Sequence, residues 1–212
     1  MELKINAQAR GVRIISGELA KQRRQLLNEL IEIAGASGFQ EITLPCLEPS
    51  EIYINKAGEE ILGQMYVFSD KKGRQLCLRP EATATMQLIA DKHLKRKKNQ
   101  RFWYFERCWR YEKPQENRYR EFFQFGMEII NPDSNEARDE LIALAEKIVS
   151  LRTNEYEVAK SVKRGLGYYT ADGFEISVAK LGAQKQVVGG GAYAQGIGFG
   201  VGFDRLFNCG SA

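Results

Sequence analysis

The chain has 212 residues, 43% hydrophobic and 27% charged, which is an ordinary globular balance and length enough for one sizeable core. Its net charge of +4 is mild and suits an anionic ligand or partner without requiring one. No apolar run is long enough to span a membrane and the first residues lack the apolar stretch of a secretory signal, so a cytoplasmic enzyme is expected. His93 is the one histidine, which leaves no Ser-His or Cys-His pair; the chemistry must rest on Arg, Glu, Gln, Tyr and backbone groups. Cys46, Cys77, Cys108 and Cys209 form no C-x-x-C pair and read as free thiols, most of them buried, rather than as zinc ligands.

In chain order, Gly17 to Ala36 reads as a helix, capped by Ser16, striped by Leu26, Leu30 and Ile33, and stopped by Gly38. Glu41 to Leu44 is a short strand ending at Pro45. Tyr66–Ser69 and Gln75–Leu78 form a hairpin around Gly73. Glu81 to Leu94 is helical and runs into a basic stretch, Lys92 to Lys98. That stretch is either a nucleic-acid contact or a solvated helix end where cations suit the dipole. Phe102–Glu112 and Phe122–Ile130 are long strands joined by a polar loop. Asn135 to Leu151 is a helix. Tyr168 to Val178 reads as a hairpin turning at Ala171–Gly173, Gln186 to Gly202 is glycine-rich strand, and a last helix begins near Asp204. Hairpins with interspersed helices predict an α+β fold with a mostly antiparallel sheet, in one domain over residues 1–212.

Alternation along the two long strands separates two faces. Phe123, Phe125, Met127 and Ile129 make an apolar face. On the other, an antiparallel pair places Arg110, Glu112, Phe122, Gln124 and Glu128 together. A cation, carboxylates, an amide and one aromatic ring are too mixed for a core and suit a ligand surface, and Lys113, Arg118 and Arg120 in the connecting loop suit a triphosphate. Gly196, Gly198, Gly200 and Gly202 also share one strand face. That bare face accepts either a flat ligand, with Arg205 at its edge, or tight helix packing. No G-K-[ST] follows, so a phosphate loop is excluded.

Three segments resemble the signature motifs of class II aminoacyl-tRNA synthetases: Gly38 through Pro49, Phe105 through Phe122, and Gly198 to Arg205. Leu78-Arg79-Pro80-Glu81-Ala82-Thr83, Arg118 to Glu128, and Arg164-Gly165-Leu166-Gly167-Tyr168-Tyr169 are similar to segments of the histidyl branch. The resemblance implies the class II antiparallel sheet flanked by helices, a homodimer through the first motif, ATP with Mg2+, and activation of an amino acid, most directly histidine, with transfer to a tRNA acceptor end. It implies that Arg110 and Arg164 hold the α-phosphate and Arg205 the γ-phosphate, as the catalytic cations. Arg118 would bind the β/γ end, Phe122 stack on the adenine and Glu112 contact its amino group. Glu81, Thr83 and Gln124 would surround the ammonium, and Glu128 and Tyr169 would read the imidazole with Tyr168 beside them. No protein metal ligand is implied with certainty. The amino acid's own carboxylate is the nucleophile, so positioned cations suffice and no general base is needed.

Gly167, Ala82 and Ala192 depart from the family's usual Asp, Gly and Arg, and are expected near the amino-acid pocket. Nothing in the sequence after the third motif corresponds to an anticodon-binding domain. Only about thirty residues separate the second motif's strand from Arg164, room for little more than a helix where the family carries an insertion domain. Two alternatives stay open: a non-catalytic histidine-binding regulatory paralogue, and a ligase for another amino acid or acceptor.

Overall fold

The computed structural model describes residues 2–3, 8–54, 59–163 and 167–210. A short antiparallel pair, β1 (Glu2–Leu3) and β2 (Ile14–Ile15), precedes helix α1 (Gly17–Ala36), which has the predicted bounds. Leu26, Leu27, Leu30 and Ile33 bury one stripe of α1 in the core, each contributing about 1.5–3 kcal/mol of apolar transfer.

The main sheet is built around the hairpin of β7 (Gln100–Trp109) and β8 (Glu121–Ile130). Its order is β3 (Gln40–Glu41), β7, β8, β12 (Gly196–Gly202), β11 (Gln186–Tyr193), β10 (Gly173–Ser177) and β9 (Glu157–Val162). Every pairing is antiparallel except β3 with β7. The predicted α+β class with its flanked, mostly antiparallel sheet is what the structure has. One sheet face packs on α1, α5 (Ala137–Ser150) and α6 (Phe203–Cys209) through Phe125, Met127, Ile129, Phe199 and Val201. The opposite face is half covered by α4 (Thr83–Ile89) and a π-helical turn (Ala90–Leu94), which pack on Tyr104, Ile130 and Tyr193. The uncovered remainder of that face carries the site. A smaller sheet, β4 (Leu47–Pro49), β6 (Gln75–Leu78) and β5 (Tyr66–Ser69), stands beside it with the short helices α2 (Glu51–Ile54) and α3 (Glu59–Leu62).

Several boundaries differ from the expectations. The strand at 41–44 stops at Glu41, because the Leu44 N–H donates to the Glu106 carboxylate at 2.6 Å instead of joining a ladder. The helix from Glu81 begins at Thr83, because the Glu81 side chain caps it: its two oxygens accept the N–H groups of Thr83 at 2.7 Å and Ala84 at 2.9 Å. β7 ends at Trp109, so Arg110 and Glu112 sit on loop rather than strand. The segment 168–178 is not a hairpin. β10 pairs instead with β9, whose polar Glu-Val-Ala-Lys-Ser-Val carries no strand pattern, and Tyr169 makes only an isolated bridge to Tyr193.

Candidate active site

A cavity of about 290 Å3 opens on the bare sheet face, and most of the expected residues meet there. β8 supplies Phe122 and Gln124, the loop between β7 and β8 supplies Arg110, Glu112 and Arg118, and the first turn of α6 supplies Arg205. Glu81 and Thr83 enter from the start of α4, Tyr168 and Tyr169 from the turn before β10, and Gly200 and Gly202 form part of the floor.

Three guanidinium groups define one end. Arg205 is fully engaged, donating to the Asn117 carbonyl at 3.1 Å, the Gln186 carbonyl at 2.9 Å and Gln184 Oε1 at 2.9 Å. Burial first, and then the neighbouring Arg110 and Arg118 charges, pull its pKa down. Arg110 donates from Nε to the Pro80 carbonyl at 2.9 Å and stands 5.3 Å over the Phe122 ring. Arg118 pairs with Glu112, so these two, expected to hold different parts of one nucleotide, hold each other here. Facing guanidiniums beside a flat ring and a floor without side chains make a place for a planar base with a polyanionic tail.

The other end is built from buried carboxyls and phenols. Burial raises the pKa of Glu81, against the lowering pull of its helix amides and Arg110, and Tyr168 donates to it at 3.3 Å. Glu128 does not line the cavity. It is fully buried beneath it, accepting from Thr83 Oγ1 at 3.1 Å, Tyr193 at 3.0 Å and Tyr104 at 3.4 Å. Burial pushes its pKa up to about 8 in spite of those three donors. The glycine face explains how it fits: a Cβ at Gly198 would fall on the Glu128 carboxylate. The bare face is therefore shared. Gly198 makes room for the protein's own Glu128 carboxylate and Gly200 for the Gln124 amide at the cavity wall, whereas Gly202 faces the cavity with no side chain pressed on it.

Two residues that depart from the family's usual pattern do not themselves line the cavity. Ala192 packs its side chain toward the helical layer, on the far side of the sheet from the cavity. Ala82 is buried in the α4 packing, and its N–H lies 3.3 Å from Gln124 Oε1, which it orients. Arg164 falls outside the described residues. Sequence reasoning missed Asn117, Gln186, Tyr119, Glu175 and Asp204, which also line the cavity. Asn117 had a usable signal, an Asn in a polar turn, and it adopts a left-handed φ of 59°.

The profile of the histidyl-tRNA synthetase family matches residues 11–159. The chain belongs to the histidyl-tRNA synthetase family. A histidine–tRNA ligase of Archaeoglobus fulgidus is 30% identical over 303 aligned positions, 93% of this chain and 74% of that protein. That span exceeds the 212 residues of this chain, so the archaeal relative carries a long stretch with no counterpart here. Two solved structures share the fold. The apo histidyl-tRNA synthetase of Staphylococcus aureus superposes with a TM-score of 0.80 at 24% identity, over 97% of this chain and 70% of that one. An ATP phosphoribosyltransferase regulatory subunit/histidyl-tRNA synthetase of Bacillus halodurans gives 0.82 at 19% identity, over 100% and 85%. The sheet and the three motif segments are thus those of a class II, histidyl-type catalytic domain.

Proposed function

We propose that residues 1–212 form one catalytic unit that joins histidine to the α-phosphate of ATP, giving histidyl-adenylate and pyrophosphate, and then passes the histidyl group to a tRNA acceptor end. The observation that carries this reading is the convergence of Arg110, Arg118 and Arg205 with Phe122 at one end of a cavity whose other end is Glu81, Thr83, Tyr168 and Tyr169. The ligand carboxylate oxygen would bond to the α-phosphorus as the bond to the β-phosphate oxygen breaks, with the electron pair leaving on pyrophosphate. Arg110 meets the charge growing on the α-phosphoryl oxygens, Arg205 meets that on the leaving group, and Arg164 is assigned to the α-phosphate opposite Arg110. Glu81, already directed at the cavity, would hold the ammonium. Thr83 and Gln124 would flank the ammonium beside it, and Tyr168 and Tyr169 would face the imidazole, with Glu128 acting from beneath through Thr83.

Magnesium fits as an ion carried by ATP's own oxygens and water. Glu81 is occupied by helix amides, Glu112 by Arg118 and Asp204 by arginines, and no group of three or more potential ligands forms a cage among the described residues. The decisive test is pyrophosphate–ATP exchange run across all amino acids. We expect exchange with histidine alone, abolished in Arg164→Ala. No exchange with any amino acid would sink the reading, and exchange with a different one would move the specificity. The Bacillus halodurans likeness keeps one rival in play: calorimetry showing histidine binding without ATP binding would make this a regulatory, histidine-binding protein.

A homodimer is proposed through the first motif. Its support is the exposed Leu47 of β4 with Val67 and Phe68 of β5, apolar side chains on the small sheet. The apolar stripe of helix α1 covers the main sheet and is not available to this surface. Sedimentation equilibrium should give twice the chain mass, and Phe68→Asp should give the monomer; a monomeric wild type removes the proposal. Free cysteines agree with a reducing cytoplasm, and among the described residues no helix is long and apolar enough to cross a membrane.

A further inference from the structure

The residues before α1 carry none of the roles assigned so far, yet they are built against the nucleotide end of the cavity. Gly11 has a φ of +82°, and a Cβ there would lie 2.9 Å from side-chain carbons of Pro114 and Arg120, so glycine is what lets this segment lie on the loop between β7 and β8. The Gly11 carbonyl accepts the Arg120 N–H at 2.8 Å. Two residues on, the Arg13 guanidinium lies 3.4 Å over the Tyr119 ring and donates to Asp204 at 2.5 Å. Asp204 is buried, and Arg23 of α1 reaches the same oxygen at 2.8 Å. Its second oxygen accepts the Phe123 N–H at 3.0 Å. Arg23 is itself enclosed by aromatic rings, 4.9 Å from Phe203 and 5.5 Å from Phe207.

The chain neighbours of these groups matter. Asp204 precedes Arg205, Phe123 follows Phe122, and Tyr119 follows Arg118. One carboxylate with its two arginines therefore fixes the backbone beside three residues assigned to ATP. Buried ion pairs add little net stability, because desolvation offsets attraction, so the effect of this pair is sought in the geometry of the loop and not in overall stability. Elsewhere the loop bearing Arg118 is tied at its base, by the Arg110 N–H to the Arg120 carbonyl at 3.0 Å and the Tyr111 N–H to the Gln64 carbonyl at 2.7 Å, and at Asn117 by Arg205 and Asn208; Arg13 adds the hold at Tyr119, beside Arg118.

We propose that residues 8–15 form a positioning strap for the nucleotide subsite, in which Arg13, clamped between Asp204 and Tyr119, holds the loop carrying Arg118 in place against Arg205. This rests on the ATP reading above, and its test has an arm that does not need ATP. ATP and histidine are titrated separately by calorimetry into the wild-type chain, Arg13→Ala and Arg13→Lys, and hydrogen exchange of residues 113–120 is followed in parallel. Arg13→Ala should weaken ATP about tenfold, leave histidine within about twofold, and speed exchange in 113–120 but not in β7 or β8. Arg13→Lys keeps the charge facing Asp204 but loses the flat stack on Tyr119, and should fall between. ATP affinity within about twofold of wild type, with unchanged loop protection, overturns the proposal. Should Arg13→Ala unsettle the whole chain, seen as lost protection in β7 and β8, Gly11→Ala decides instead, since its added Cβ pushes the strap off Pro114 and Arg120, and none of these three lines the cavity. This substitution keeps Asp204 and both arginines in the chain and must weaken ATP alone. If the wild-type chain binds no ATP, the functional reading falls, while protection of 113–120 still decides the coupling.

Discussion

Arg205→Ala is expected to slow histidine-dependent pyrophosphate exchange by roughly 10²–10³-fold, about 3–4 kcal/mol of lost transition-state stabilisation. This guanidinium spends one donor from each nitrogen on two backbone carbonyls and one side-chain amide, all neutral acceptors. A phosphate tail offers anionic oxygens, and charge-assisted bonds are roughly twice as strong as neutral ones. Burial pulls the Arg205 pKa down, the like charges of Arg110 and Arg118 pull it further, and that concentration of positive charge favours a polyanion. Arg205→Lys should recover little, because a point charge cannot replace a planar fork bound on three sides. The rate constant should fall more than the histidine KM rises, since Arg205 stands at the nucleotide end. A rate within about fivefold of wild type would mean that another cation carries the leaving-group charge.

The α1 stripe and the two faces of β7 and β8 were legible because alternation and helical period are local, and both match the structure. The arginines and Phe122 were legible because a mixed polar and aromatic face opposite Phe123, Phe125 and Met127 has no packing explanation. Other features depend on contacts distant in sequence. β9 has no apolar alternation, because it is an edge strand. The Arg13–Asp204 pair joins residues 191 apart, and no periodicity relates them. The four alternating glycines were read as one bare face for either a flat ligand or a packed helix, but a sequence cannot say whether such a face admits a ligand or a side chain of its own chain. At Gly198 it admits Glu128. Arg110 and Glu112 were placed on strand because the alternation continues past Trp109, whereas the chain there turns away to the loop.

Glu128 itself should make stability fall as pH rises, a contribution that Glu128→Gln should remove. Its carboxyl has an ordinary pKa of 4.5 and is pushed up to about 8, because burial outweighs the bonds from Tyr193, Thr83 and Tyr104. Below the unfolded value both states hold the proton and there is no penalty. Between about 4.5 and 8 the unfolded chain has released a proton that the folded chain retains, so each step up in pH favours unfolding; above 8 both have released it and the effect is flat. Its full size is on the order of 5 kcal/mol at most, from 1.36 kcal/mol per pKa unit. Glu81 is also raised by burial and adds a slope of the same sign, so the wild-type curve alone does not isolate Glu128. The variant does. Gln keeps a carbonyl to accept from Thr83 and the two phenols, and its amide can donate to a phenol oxygen, so the site stays filled. Urea unfolding from pH 4.5 to 9 should show the variant gaining several kcal/mol on the wild type across that window, most of it by pH 8. Parallel curves would mean that Glu128 is ionised in the folded chain at neutral pH, and with it that the cavity is underlain by a fixed negative charge rather than by a protonated carboxyl.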